Sequence, residues 1–195
     1  RCEPVSIARF KEVCGEIDVK PVVLALQTAE QANVMQDVMT SSVHFGTNAS
    51  AFNKATEIVK ALESRSFTDV RTKIETVPWH PAAPQSEVDQ MPRDCYFESH
   101  VAVRTSRDRQ ALLAGLATQF NAHMSKNIFK IVDDDNYVQM MTLRWYDGTY
   151  PDFDAAVDRF IAELEKQGFE LDKKIVEFSV YDTKISHDAA WISSN

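Results

Sequence analysis

Apolar side chains recur along this chain in two rhythms, every third to fourth residue and every second residue, and the switches between them mark out its elements. Ile7, Phe10 and Val13 lie on one side of a short helix over Ser6–Glu16. Pro21 opens the run Val22-Val23-Leu24-Ala25-Leu26, whose length and β-branching predict a buried strand. Thr28–Thr47 is polar, contains Met and has Gly46 near its end, so it reads as a loop with one or two helical turns. Phe52, Ala55, Ile58, Val59 and Leu62 then form the stripe of a clear helix that Asn48 or Ser50 can cap. The capping role is the stronger reading of the sequon Asn48-Ala49-Ser50.

Val70–Val77 reads as a strand ended by Pro78. The segment Pro78–Pro92 holds four prolines and no glycine, which makes a long, stiff connection. Cys95–Val103 is the next strand, and Asp108–Lys126 a second long helix with Leu112, Leu113, Leu116, Phe120 and Met124 on its apolar side. Asp133-Asp134-Asp135-Asn136 makes a turn before a strand over Tyr137–Tyr146, which Asp147-Gly148 ends. Pro151 suits the first turn of a third helix striped by Phe153, Val157, Phe160, Ile161 and Leu164, and Gly168 suits its C-terminal close. Lys174–Thr183 is the last strand.

The resulting order is α-β-α-β-β-α-β-α-β. Its centre has the β-α-β-β-α-β connectivity of a ferredoxin-like core, with an αβ unit appended. The expected class is α+β, with a mainly antiparallel sheet and helices on one face. Residues 1–47 supply the N-terminal helix, first strand and loop, and residues 48–195 the remainder of the same single domain. One internal echo stands out: Leu62-Glu63, Phe67 and Glu75 repeat in spacing as Leu164-Glu165, Phe169 and Glu177. It is either a duplicated αβ unit or a coincidence of common helix-end residues.

Composition adds bounds. The chain has 195 residues, is 44% hydrophobic and carries a net charge of −8, so it can bury a proper core and offers no basic surface for an extended nucleic acid. No apolar stretch is long enough to span a membrane. Three cysteines without metal-type spacing fit a reducing intracellular compartment and no structural zinc site. The start at Arg1 fits a trimmed chain, such as an organellar protein after removal of a transit peptide.

Strand parity then separates two faces. With the apolar sets turned to the helices, the other face collects Arg71, Lys73, Glu75, Tyr96, Glu98, His100, Arg144, Glu177 and Tyr181. This reading assumes that no bulge shifts the alternation. Such a face is either a solvated surface of weak ion pairs or a partly covered site. The long segments Thr28–Thr47 and Pro78–Pro92 are candidates to cover it.

As a site, it offers two chemistries. Glu75, Glu98, His100 and Glu177 supply oxygen and imidazole ligands for a divalent metal, while Arg71, Lys73 and Arg144 hold a phosphate or carboxylate. Tyr181 completes the ligand-binding set. Without a metal, Glu98 and His100 form an acid–base pair. His123 stands at the expected end of the second helix, either as a polar last turn or as a group that reaches the sheet edge. His44 precedes a helix N-terminus, but one glycine is too little for a phosphate loop. His80 and His187 are expected in solvent, and no chemistry is assigned to Asp182 or Asp188. The dinucleotide, P-loop, zinc-protease, serine-hydrolase and EF-hand patterns are absent from the sequence.

Three segments together resemble a family of uncharacterised bacterial and eukaryotic proteins of about this size: Cys95-Tyr96-Phe97-Glu98-Ser99-His100-Val101, His123-Met124-Ser125-Lys126-Asn127, and Val180-Tyr181-Asp182 running to Trp191-Ile192. The likeness covers roughly residues 50 to 192 and implies a self-standing domain, with no particular reaction. Two functions follow from the sequence. One is binding or conversion of a small anionic, phosphorylated molecule at the open sheet face, with or without a metal. The other is a non-catalytic accessory subunit that docks onto a protein partner.

Overall fold

The computed structural model describes residues 7–27, 34–68, 70–131 and 136–185. In chain order they form α1 (Ile7–Glu16), β1 (Lys20–Gln27), β2 (Val34–Ser41), α2 (Asn48–Glu63), β3 (Lys73–Thr76), β4 (Tyr96–Ser106), α3 (Gln110–Gln119), β5 (His123–Ile131), β6 (Asn136–Trp145), α4 (Tyr150–Lys166) and β7 (Glu170–Asp182). One seven-stranded sheet has the order β2-β1-β5-β6-β4-β7-β3, and its strand pairs are antiparallel. The α+β class is as the sequence implies. A β-α-β-β-α-β connectivity whose four strands are neighbours in the sheet is β4-α3-β5-β6-α4-β7, further along the chain than expected.

Two strands account for that displacement. Where a loop is expected over Thr28–Thr47, β2 pairs along the whole of β1, from Lys20↔Ser41 to Gln27↔Val34. Its residues mix Val and Met with Gln, Asp, Thr and Ser on both parities, so no clean alternation announces it. The second helix also ends seven residues early. Asn121 takes φ 53°, and Ala122 N–H reaches back to the Ala117 carbonyl at 2.8 Å. That closure releases His123 to begin β5. The expected turn at 133–135, together with His187, Asp188 and Trp191, lies outside the described residues.

All four helices among the described residues close in this way. Val19 N–H binds the Cys14 carbonyl, Phe67 the Leu62 carbonyl and Phe169 the Leu164 carbonyl, at 3.0, 3.1 and 3.0 Å. Asp18, Ser66, Asn121 and Gly168 supply the left-handed residue, with φ of 54°, 70°, 53° and 76°. At the other end of α2, Thr47 rather than Asn48 or Ser50 is the cap, and it exchanges hydrogen bonds with Ser50. Thr149 caps α4 in the corresponding place.

The main core lies where α3 and α4 meet the sheet. Phe97, Val101, Met141, Leu143 and Phe178 from the strands pack with Leu113, Phe153, Val157, Phe160 and Leu164. The proline-rich connection joins this same side. Ala83 and Met91 pack into the core, and the Pro84 carbonyl accepts from Tyr150 N–H. A smaller cluster joins Phe10, Cys14 and Val19 to Ile58, Phe67 and Val38. Cys14 and Cys95 are free thiols.

Candidate functional site

On the opposite side of the sheet, the alternation of β4, β6 and β3 brings charged groups together around one carboxylate. Glu98 is 1% exposed. Its Oε2 accepts from Lys73 Nζ at 2.7 Å and from Arg144 Nε at 2.6 Å. Its Oε1 lies 3.1 Å from His100 Nε2. Lys73 also pairs with Glu75 at 2.6 Å. The Tyr96 ring has Lys73 Nζ 5.5 Å and the Arg144 guanidinium 5.6 Å from its centre, so both cations lie over an aromatic face.

Register explains the assembly. Glu98 stands opposite Arg144 on β6 and Glu177 on β7, while His100 stands opposite Thr142. The His100 Nδ1 is 3.1 Å from the Thr142 hydroxyl, and its Nε2 is 3.7 Å from Glu177. Thr142 is in turn opposite His123, so His123 shares this face from β5 instead of ending a helix. Ser179, between Tyr96 and Glu75 in the ladder, is fully buried, and its hydroxyl has no hydrogen-bond partner among the described residues.

The titration shifts follow from this geometry. Burial opposes ionisation of Glu98, but the His100 hydrogen bond and the charges of Lys73, His100 and Arg144 outweigh it and hold the carboxyl well below the usual range. Burial likewise opposes charge on His100, and the Glu98 hydrogen bond, Glu98 and Glu75 overcome it and raise the imidazole. Glu177 moves the other way from Glu98. Burial and then the neighbouring Glu75 charge raise it, against the pull of His100 and Lys73. Lys73 is raised as well, because the charges of Glu98 and Glu75 exceed the cost of burial.

A β-bulge decides which end residues join the face. Ile74 pairs with Tyr181 but Glu75 pairs with Ser179, so the ladder slips by one. Tyr181 turns away and packs edge-on against Phe52 of α2, ring centres 5.1 Å apart. This corrects its expected place on the polar face. Asp182 takes the inward position instead. It accepts from Arg71 Nε at 2.9 Å and Nη2 at 2.5 Å, from Tyr96 Oη at 2.8 Å and from Lys184 N–H at 3.0 Å. Burial opposes its ionisation, yet these donors bring its pKa down to about 2. No signal in the strand pattern singles out Asp182, because only the bulge gives it that place.

Of the four residues expected to ligate a metal, Glu75, Glu98 and His100 present ligand atoms within 4.8 Å of one another, and Glu177 lies outside that group. Glu98 is already saturated by two cations and an imidazole. Arg71, Lys73 and Arg144, expected to hold an anion, each face a carboxylate. His44 does not face the sheet cluster; its Nε2 is 2.8 Å from Ser50 Oγ and buttresses the α2 cap. A cavity of about 440 Å³ opens beside the face, between residues 89–95, Tyr146, Asp147 and Ile185. Tyr146 joins the two regions, its ring 5.2 Å from that of Tyr96. Among the described residues no helix is long and apolar enough to cross a membrane. Comparison with protein-family models, with curated proteins and with solved structures finds no match for the chain.

Proposed function

We propose that the polar face of the sheet binds a small polar molecule and exchanges a proton with it through His100 and Glu177. One observation carries this reading: two partly exposed acid–base groups of raised pKa lie 3.7 Å apart, above a buried carboxylate already satisfied by other donors. Partly exposed acid–base groups whose proton affinity the site has raised are candidates to give and take protons. The orphaned Ser179 hydroxyl supports the reading, since a buried polar atom without a partner calls for one.

The pairing of each cation with a carboxylate narrows the ligand. An anion binding at Lys73 or Arg144 has to displace Glu98, and a divalent metal has to compete with both cations for it. A neutral or zwitterionic molecule has neither obstacle. It can meet Glu177 and His100 without breaking the network. A thermal-shift screen against small polar metabolites, phosphorylated compounds and divalent metals tests this, since a ligand of the folded state raises the melting temperature. The reading expects a neutral or zwitterionic compound whose shift is lost in both Glu177→Gln and His100→Gln. No shift across the whole screen overturns it.

A second reading, an accessory protein that docks on a partner, draws on Val43 and Phe45, which are 82% and 92% exposed ahead of α2. Substitution of Phe45 by Ser separates the two, because it leaves a ligand shift intact and weakens a docked complex.

A further inference from the structure

Beyond His100 the same face of the sheet changes character. The ladder sets out successive rows across β6, β4 and β7. Arg144, Glu98 and Glu177 form the first, and Thr142, His100 and Ile175 the second. Met140, Ala102 and Lys173 form the third, and Val138 stands opposite Arg104 in the next. Cross-strand partners share a face. Thus Ile175, Ala102, Met140 and Val138 lie on the side that carries the charge network, next to His100 and Glu177.

These residues are apolar where the face turned away from α3 and α4 calls for polar side chains. Among the described residues, neither core cluster includes any of them. Their strand neighbours Val101, Val103, Met141 and Val176 pack into the main core instead. Ile175, Met140 and Val138 are half-buried, and Ala102 is 5% exposed. The first three therefore keep apolar surface open to a ligand.

The patch is bounded on every side. Ser125 of β5 stands opposite Met140, and Lys173 of β7 opposite Ala102. The Arg104–Asp172 ion pair closes the far end, and the hydrogen-bonded pair of His100 and Thr142 the near one. From the His100 row to the Arg104 row the strip is about 13 Å long, at the rise of a β-strand. It tapers from Met140 and Ala102 in one row to Val138 alone in the next, so it admits a slender chain better than a broad ring system.

We propose that the ligand of this face is a small amphiphile with one unbranched aliphatic chain. Its polar head meets His100 and Glu177, and the chain runs from there over Ala102, Met140 and Val138, with Ile175 beside its first carbons. The inference rests on the reading of His100 and Glu177 as the head-group site and names the class of molecule that site takes. The chain leads away from Glu98, Lys73 and Arg144, so their network stays intact. Burial of its methylenes adds the affinity that a small polar head lacks.

Two homologous series test it. Acetamide, butanamide, hexanamide and octanamide carry a neutral head, and glycine, norvaline and norleucine a zwitterionic one. Binding to the full chain is followed by NMR through the Met140 methyl and the His100 imidazole. The expected result is affinity that rises about two- to fourfold per methylene in at least one series, with the Met140 methyl shifted by the longer members. Val138→Thr and Met140→Gln, both at half-buried positions, are each expected to flatten that rise. Affinity that does not change with length overturns the inference, and so does an absence of binding in both series. A rise that leaves the Met140 methyl unmoved places the chain elsewhere and overturns it too. A rise that Met140→Gln flattens, but that His100→Gln and Glu177→Gln leave intact, keeps the aliphatic strip and overturns the proton-exchange reading in its place.

Discussion

Glu98 and Arg144 face each other across β4 and β6, and the 2.6 Å hydrogen bond between them is one of three donor contacts that fix a carboxylate almost wholly out of water. A buried charge keeps its form only when partners replace the lost solvent. Lys73, Arg144 and His100 do so from three strands. The network therefore ties β3, β6 and β4 together on the polar side, as Phe97 and Phe178 join β4 to β7 on the apolar side.

Removal of the central charge takes the buried carboxylate away from Lys73, Arg144 and His100 and leaves Lys73 with Glu75. Glu98→Gln is expected to destabilise the fold by about 3–5 kcal/mol, measured by urea unfolding. The double variant Glu98→Gln/Lys73→Met is expected to recover part of that loss, because it also removes one of the cations that lost this carboxylate. A loss within 0.5 kcal/mol for the single variant is inconsistent with the network described.

Asp182 sets the acid limit. Its folded pKa of about 2 lies below the ordinary value of 3.8, so its stabilisation is present above the ordinary value and fades as pH falls toward the folded one. The effect is on the order of 2 kcal/mol for a carboxyl this well buried. Asp182→Asn is expected to lower stability at pH 6 and to flatten the acid limb of the stability profile between about pH 4 and pH 2. A profile identical in shape to that of the parent chain contradicts this assignment.

The repeated caps predict matched costs. Thr47→Ala and Thr149→Ala each remove an oxygen that accepts from the third helical N–H, and each is expected to cost about 1 kcal/mol by thermal or urea unfolding. Gly46→Ala is expected to add a penalty of its own, since a β-carbon there meets Ser50 Oγ at 2.4 Å and His44 Nε2 at 2.8 Å.

The helix stripes predict unequal costs. Phe160→Ala opens a cavity in a fully buried position and is expected to cost about 3–5 kcal/mol. Ile58→Ala, at the equivalent but half-buried position of α2, is expected to cost less than about 2 kcal/mol. Equal losses in urea unfolding contradict the difference in burial between the two stripes.

What the sequence showed of this architecture depends on how locally each feature is encoded. The stripes of α2 and α4 and the alternation of β4 and β6 are carried by neighbouring residues, so they are legible without a fold. So is the grouping of Lys73, Glu75, Glu98, His100, Arg144 and Glu177, which needs only parity. β2 is not legible in this way, because its stability comes from pairing with β1 and not from its own pattern. The start of β5 is hidden because Phe120 and Met124 continue a helical spacing that the left-handed Asn121 breaks. The exchange of Tyr181 for Asp182 depends on a bulge set by register against β3, which no single strand records.

The account rests on His100 as a protonated group above Glu98, and its own titration is the most direct test. Glu98, Glu75, Glu177 and Lys73 surround it, and Thr142 and His123 approach from β6 and β5. A raised folded pKa means that its stabilisation is complete below the ordinary 6.5 and is lost as pH rises through the folded value. An NMR titration of the His100 imidazole in the folded chain is expected to give a pKa above 6.5 that falls in Glu98→Gln. A value at or below 6.5 in the parent chain, unmoved by that substitution, contradicts the account.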